Sequence, residues 1–191
     1  DYQTAHTLIA CTLSKVTCLD PKKEVYDFLK DVHEYLRQLI KIYPSSEEAF
    51  NAVKELYSDC CMPFYESMID SVLLNDFDSK QFYDLKFNLI HQKILYSSLY
   101  DDRELQKFIY ERWTKYGLDL LIESGKEESV ILDYLSQYAD SEAVQVNYVD
   151  YYVRKGHYQK ALDILDEHTG HAYEVKKQEV IDAMNHHKEV S

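Results

Sequence analysis

Apolar residues recur along this chain at three- and four-residue intervals with few interruptions. The clearest stripe is Val25, Phe28, Leu29, Val32, Leu36, Leu39, Ile40 and Tyr43. That spacing places one apolar face on an α-helix. Asp20-Pro21 opens it, since Asp caps well and Pro is tolerated at the first helical position. Pro44 stops it. Before it, Leu8, Ile9, Thr12 and Leu13 predict a short helix over residues 2–15. After it, Ser45 and Glu48 form a candidate capping box for a helix carrying Phe50, Val53, Leu56 and Tyr57. Cys60-Cys61-Met62-Pro63 is the next break. Phe64, Met68, Ile69, Val72 and Leu73 predict a helix ending near Asn75, and Asp76–Ser79 reads as a polar turn.

The same rhythm continues to the end. Phe82, Leu85, Leu89, Ile90, Ile94 and Leu95 mark one helix. Asp101 and Glu104 suggest a capping box for Leu105, Phe108, Ile109 and Trp113, with Gly117 as the stop. Leu118–Ser124 reads as a separate short helix ended by Gly125, followed by one with Val130, Ile131, Tyr134 and Leu135. Residues 144–168 predict a helical hairpin, capped by Asp140-Ser141. Val144, Tyr148, Tyr151 and Tyr152 lie on its first helix. Lys155-Gly156 is the stop. Tyr158, Ala161, Leu162 and Leu165 lie on its second, where Ala161 lets two backbones approach. After Gly170, residues 173–187 predict a polar helix with Val180, Ile181 and Met184 inward.

About ten helices with short loops predict an all-α fold of antiparallel hairpins. Gly125 and Gly156 each divide two helices and lie 31 positions apart, a loose period typical of helical repeat arrays. The expectation is a single helical repeat domain over residues 1–191, its hairpins stacked as an α-solenoid. An irregular helical bundle is the alternative. Residue 1 is Asp rather than Met, as expected of a fragment of a longer protein.

Composition narrows the functional classes. With 46% hydrophobic and 29% charged residues, the chain is globular rather than disordered. Its net charge of −13 disfavours direct nucleic-acid binding, which selects Lys and Arg. The same charge suits protein partners with basic segments. No apolar run approaches a membrane span. Few cysteines and no C-x-x-C pair fit a reducing, intracellular compartment.

No active-site constellation is visible, so an enzyme is not expected. There is no Ser-His-Asp order, phosphate loop or H-E-x-x-H. His168, His171, His186 and His187 lack acidic or thiol partners at ligand spacing, so no metal or other cofactor is expected. Glu47-Glu48, Asp101-Asp102 and Glu127-Glu128 each fall where a helix begins, where carboxylates complement the helix dipole. The 18 tyrosines are the unusual feature. If they line a peptide groove, Tyr148, Tyr152 and Tyr158 are the candidates; core packing is the competing reading.

Tyr152, Gly156, Tyr158 and Ala161 stand at spacings that resemble the tetratricopeptide repeat. The leading Trp of that repeat would fall at Gln145, and its terminating Pro is absent. Phe108-Ile109-Tyr110-Glu111-Arg112-Trp113 and Asn147-Tyr148-Val149-Asp150-Tyr151 resemble the half-a-tetratricopeptide (HAT) repeat. This resemblance implies a protein-binding scaffold in RNA-processing or ribosome-biogenesis assemblies, nuclear or cytoplasmic. Lys155-Gly156-His157-Tyr158-Gln159-Lys160-Ala161 is also similar to the hairpins of nuclear-pore and vesicle-coat solenoids. The competing class is a helical enzyme or small-ligand-binding bundle.

Overall fold

A computed structural model of the chain describes residues 7–12, 15, 23–42, 46–59 and 63–190. Among the described residues every regular element is helical. In chain order these are α1 (Lys23–Ile42), α2 (Glu47–Glu55), a 3-10 turn (Leu56–Asp59), α3 (Pro63–Asn75), α4 (Tyr83–Ser97), α5 (Arg103–Glu123), α6 (Glu128–Gln137), α7 (Glu142–Arg154), α8 (Tyr158–Asp166) and α9 (His171–Val190). The chain divides into two compact units, Asp1–Lys86 and Phe87–Ser191. The breaks expected at Asp20-Pro21, Tyr43-Pro44 and Cys60-Cys61-Met62 lie outside the described residues.

In the first unit α3 packs against both α1 and α2. Leu29, Leu36 and Ile40 of α1 are buried, and Ile69, Val72 and Leu73 of α3 are wholly so. Phe28, expected inward, is exposed. It lies one position off the Leu29–Leu36–Ile40 line, and that 100° rotation carries it out of the interface. Ser46, not Ser45, caps α2, accepting from the Ala49 amide at 3.2 Å. Phe50, Phe77 and Phe82 form an aromatic cluster with ring separations of 5.0–6.0 Å.

Beside that cluster lies Lys86, buried to 1% exposure. Its ammonium donates to the carbonyls of Leu74 (2.6 Å) and Phe77 (2.7 Å) and to the Ser79 hydroxyl (3.1 Å). The last turn of a helix leaves carbonyls without partners. Lys86 supplies partners for the end of α3 and the turn after it. Asp78 secures the other side of this turn, accepting from the amides of Lys80 and Gln81. Replacing Lys86 by Met keeps the stem and removes the donors. The expected loss is on the order of 3 kcal/mol, read by urea denaturation. An unchanged midpoint would show that the ammonium does not hold the turn.

In the second unit α5 packs on α6 and α7, α7 on α8, and α9 on both α7 and α8. Helix α5 corrects the sequence reading twice. Its cap is Asp102 rather than Asp101, accepting from the amides of Glu104 and Leu105. It also runs unbroken through Gly117 to Glu123. Gly117 is there for space. A Cβ at this position would stand 2.0 Å from the Tyr134 hydroxyl oxygen, and that hydroxyl donates to the Thr114 carbonyl at 2.9 Å. Gly125 and Gly156 do end helices, with φ of +68° and +74°. Ser141 caps α7 as expected, accepting from the Val144 amide at 3.3 Å.

Gly117→Ala sets a better helix former against a clash with a buried ring. Helix propensity returns about 1 kcal/mol, and overpacking costs about 1–3 kcal/mol. The expected net result is destabilisation, with the denaturation midpoint lowered. A raised midpoint would mean that the α5–α6 approach is not tight.

Candidate functional site

The three tyrosines singled out from the sequence sit in and beside the α7–α8 hairpin. Tyr148 is 5% and Tyr152 2% exposed, so their rings are core. Tyr158 is half-buried, with its ring edge against His187 at 5.8 Å. Tyr148 and Tyr152 are joined through their hydroxyls at 2.5 Å. Tyr152 then donates to Glu128 Oε1 at 2.7 Å, which also accepts from Lys160 at 2.9 Å. The Lys160 ammonium lies 4.4 Å from the Tyr152 ring centroid, a cation–π distance. The chain of donors thus leads from the core to the surface and ends on an ion pair.

Burial is the main reason both phenols resist ionisation. Tyr152 is pushed up to about 12, and Tyr148 is raised as well. Glu128 is held below its ordinary value, first by the Tyr152 hydroxyl and then by Lys160. These shifts keep both phenols protonated and the Glu128 carboxylate ionised around neutral pH. Their arrangement locks α6 to α7 and α8.

A second feature of this unit is open to solvent. Between the end of α4 and the start of α5 lies a groove of about 490 Å³. Ile94 and Tyr110 supply apolar lining and Leu95 an exposed wall. Arg103 and Lys107 stand on one helical face of α5 with Tyr110, at intervals of four and three residues. Asp140 closes the groove and accepts from the Tyr110 hydroxyl at 2.8 Å. Burial and that carboxylate raise the Tyr110 phenol, so it remains a donor. Two cations face one carboxylate here, in a chain of net charge −13.

The segment that carries the groove also exposes several large apolar residues, of which Leu95 is in the groove wall. Leu95 (58%), Tyr96 (59%), Leu99 (74%), Leu105 (40%) and Phe108 (63%) are all exposed within residues 95–108. Leu95, Leu105 and Phe108 were expected inward. The available signal was a surplus: Ile94, Leu95 and Tyr96 are adjacent and cannot share one 100° face. Only Ile94 is buried. The groove residues Arg103, Lys107 and Asp140 had no signal of their own, since charged residues on a helix normally face water.

The histidines do not converge. The His168 ring stacks on Tyr173 at 4.8 Å, and His171 and His186 are exposed. Among the described residues no group of three or more His, Cys, Asp or Glu is arranged to hold a metal ion. Among them also, no helix is long and apolar enough to cross a membrane. Comparison with protein-family models, curated proteins and solved structures finds no match to this chain.

A carboxyl held low stabilises the fold above its unfolded pKa, and that contribution is lost as pH falls through the folded value. Glu128→Gln is therefore expected to flatten the acid side of the stability–pH curve, below the ordinary carboxylate range. Thermal melts from pH 7 down to pH 3 check this. A curve parallel to the parent's would remove Glu128 from the lock.

Proposed function

We propose that this chain is a non-enzymatic protein–protein interaction scaffold within a larger complex, built from helical hairpins stacked in the manner of an α-solenoid. The observation that carries the reading is the preformed groove between α4 and α5, with Leu95 exposed in its wall, in a segment (residues 95–108) that exposes four further large apolar residues. An apolar groove with charged groups at its rim suits the apolar face of a partner helix. The tyrosine network supports the same reading, because the Tyr148 and Tyr152 rings are buried and their hydroxyls are paired within the network.

The partner in this reading is another protein subunit with an amphipathic helix. Its apolar residues would lie on Leu95 and Tyr110, and a carboxylate would meet Arg103 and Lys107. The groove thus replaces Tyr148 and Tyr152 as the place where a helix would dock. The repeat resemblance points to assemblies of RNA processing or ribosome biogenesis. A nuclear-pore or vesicle-coat scaffold is the second version, suggested by the Lys155–Ala161 hairpin turn.

Affinity capture from lysate, read by mass spectrometry at low and moderate salt, tests the scaffold role. The parent chain should retain a defined set of subunits of one large complex at moderate salt. Leu95→Asp/Leu99→Asp, two exposed positions, should lose that set while the unfolding free energy changes by no more than about 0.5 kcal/mol. Retention of the set by the variant would remove the groove region from the interface. Recovery of nucleic acid alone would overturn the scaffold reading.

A further inference from the structure

We propose that a cleft between α1 and α3, in the first unit, is a binding site for a small organic acid with an apolar body. The cleft measures about 330 Å³, at the lower end of small-molecule sites, roughly 300–1,000 Å³. It forms because the α1–α3 interface changes character along its length. Toward one end Leu36 and Ile40 are buried, each 4% exposed. Toward the other, α3 presents Ser67 and Ser71, too small to fill the space opposite Lys30 and His33.

The lining has the chemistry of an anion site with an apolar floor. Leu29 and Met68 supply the floor. Ser67 and Ser71 supply hydroxyls, and Lys30 supplies a cation at the exposed rim. Among the described residues no carboxylate lines the cleft, although acids outnumber bases by 34 to 21 in the chain. Among the described residues, His33 Nε2 is the buried side-chain polar atom without a hydrogen-bond partner. Such atoms are almost always paired in folded proteins, so this one marks where a ligand atom belongs. Burial, then Arg37, hold the His33 imidazole below its ordinary value, against the opposing pull of Asp76 and Glu34. The neutral ring can place its proton on Nε2 and donate to a carboxylate. Arg37 itself is engaged by Asp76, at 2.9 and 3.0 Å. It therefore positions the charge around His33 without filling the cleft.

The test is a titration of the full chain, labelled with nitrogen-15 in its histidine rings, using octanoate as the probe. Octan-1-ol and octylammonium are the controls of equal length. A saturable shift of the His33 Nε2 resonance by octanoate is expected, with binding at least about tenfold tighter than either control, the gain of one charge-assisted contact. Ser71→Leu should fill the cleft and abolish the shift. Lys30→Gln, at an exposed position that does not threaten the fold, should weaken octanoate and leave octan-1-ol unchanged. No shift at His33, or equal binding of all three probes, would overturn the proposal. Capture of protein subunits by the second unit is independent of either result.

Discussion

The second unit depends on one carboxylate. Glu111, midway along α5, accepts from the Ser141 hydroxyl at 2.6 Å and from the amides of Ala143 (2.8 Å) and Glu142 (3.3 Å). The first amides of a helix have no partner within it, and their end of the dipole attracts negative charge. In α7 a neighbouring helix supplies that charge. Register follows from this. With Glu111 on the α7 start, Thr114 one turn on meets the Ser141 hydroxyl at 2.9 Å. Asp119 meets Asn147 at 2.5 Å, and the glycine at 117 faces Tyr134. The residue before Glu111 is Tyr110, whose hydroxyl binds Asp140 and shapes the end of the groove. The cap of α7 and the boundary of the candidate interface are thus set by adjacent residues of α5.

The first unit solves the matching problem at the other end of a helix. There the unpaired groups are carbonyls, and the partner is a cation, Lys86, drawn inside with its stem against apolar neighbours. A buried ammonium is tolerable only when its donors are satisfied, and this one meets two carbonyls and a hydroxyl. In both units, then, a side chain from one helix completes the end of another, and hydrophobic packing follows the register so imposed. His33 is the exception to this economy of pairing, and it lies where small serines leave the α1–α3 interface open.

Much of the fold was legible in the sequence because helical periodicity is a local signal. The stops at Gly125 and Gly156 were readable for the same reason: positive φ is a demand of the turn itself. Gly117 shows where local reading ends. The same residue type serves there to admit a tyrosine seventeen positions later, and nothing near residue 117 distinguishes the two uses. The displaced caps have a simpler cause. Ser45-Ser46 and Asp101-Asp102 each offer two competent residues in a row, and the backbone selects the second. For the candidate site, the tyrosine cluster was visible but its sense was not. Tyr148 and Tyr152 recur at the four-residue interval of a buried stripe, and burial followed. Lys86 and Glu111 could not be read at all, because most of their partners are backbone groups of other elements and leave no trace in residue type.

Charge acts on the proposed interface at two ranges. Before contact a partner meets the summed field of the chain, which physiological salt screens over about 8 Å. That field is negative, so approach favours a partner with a basic surface. Within the groove the order reverses, since Arg103 and Lys107 outnumber Asp140, and an apolar helix seated on Ile94 and Leu95 would displace water from around them. Binding there favours a carboxylate on an apolar helix. A partner that meets both conditions carries segregated charge: a basic body for approach and an acidic, apolar helix for docking. A uniformly basic peptide would arrive quickly and be held poorly, and a uniformly acidic one would be turned away. The two ranges therefore act on different steps, the net charge on the association rate and the groove on the lifetime of the complex.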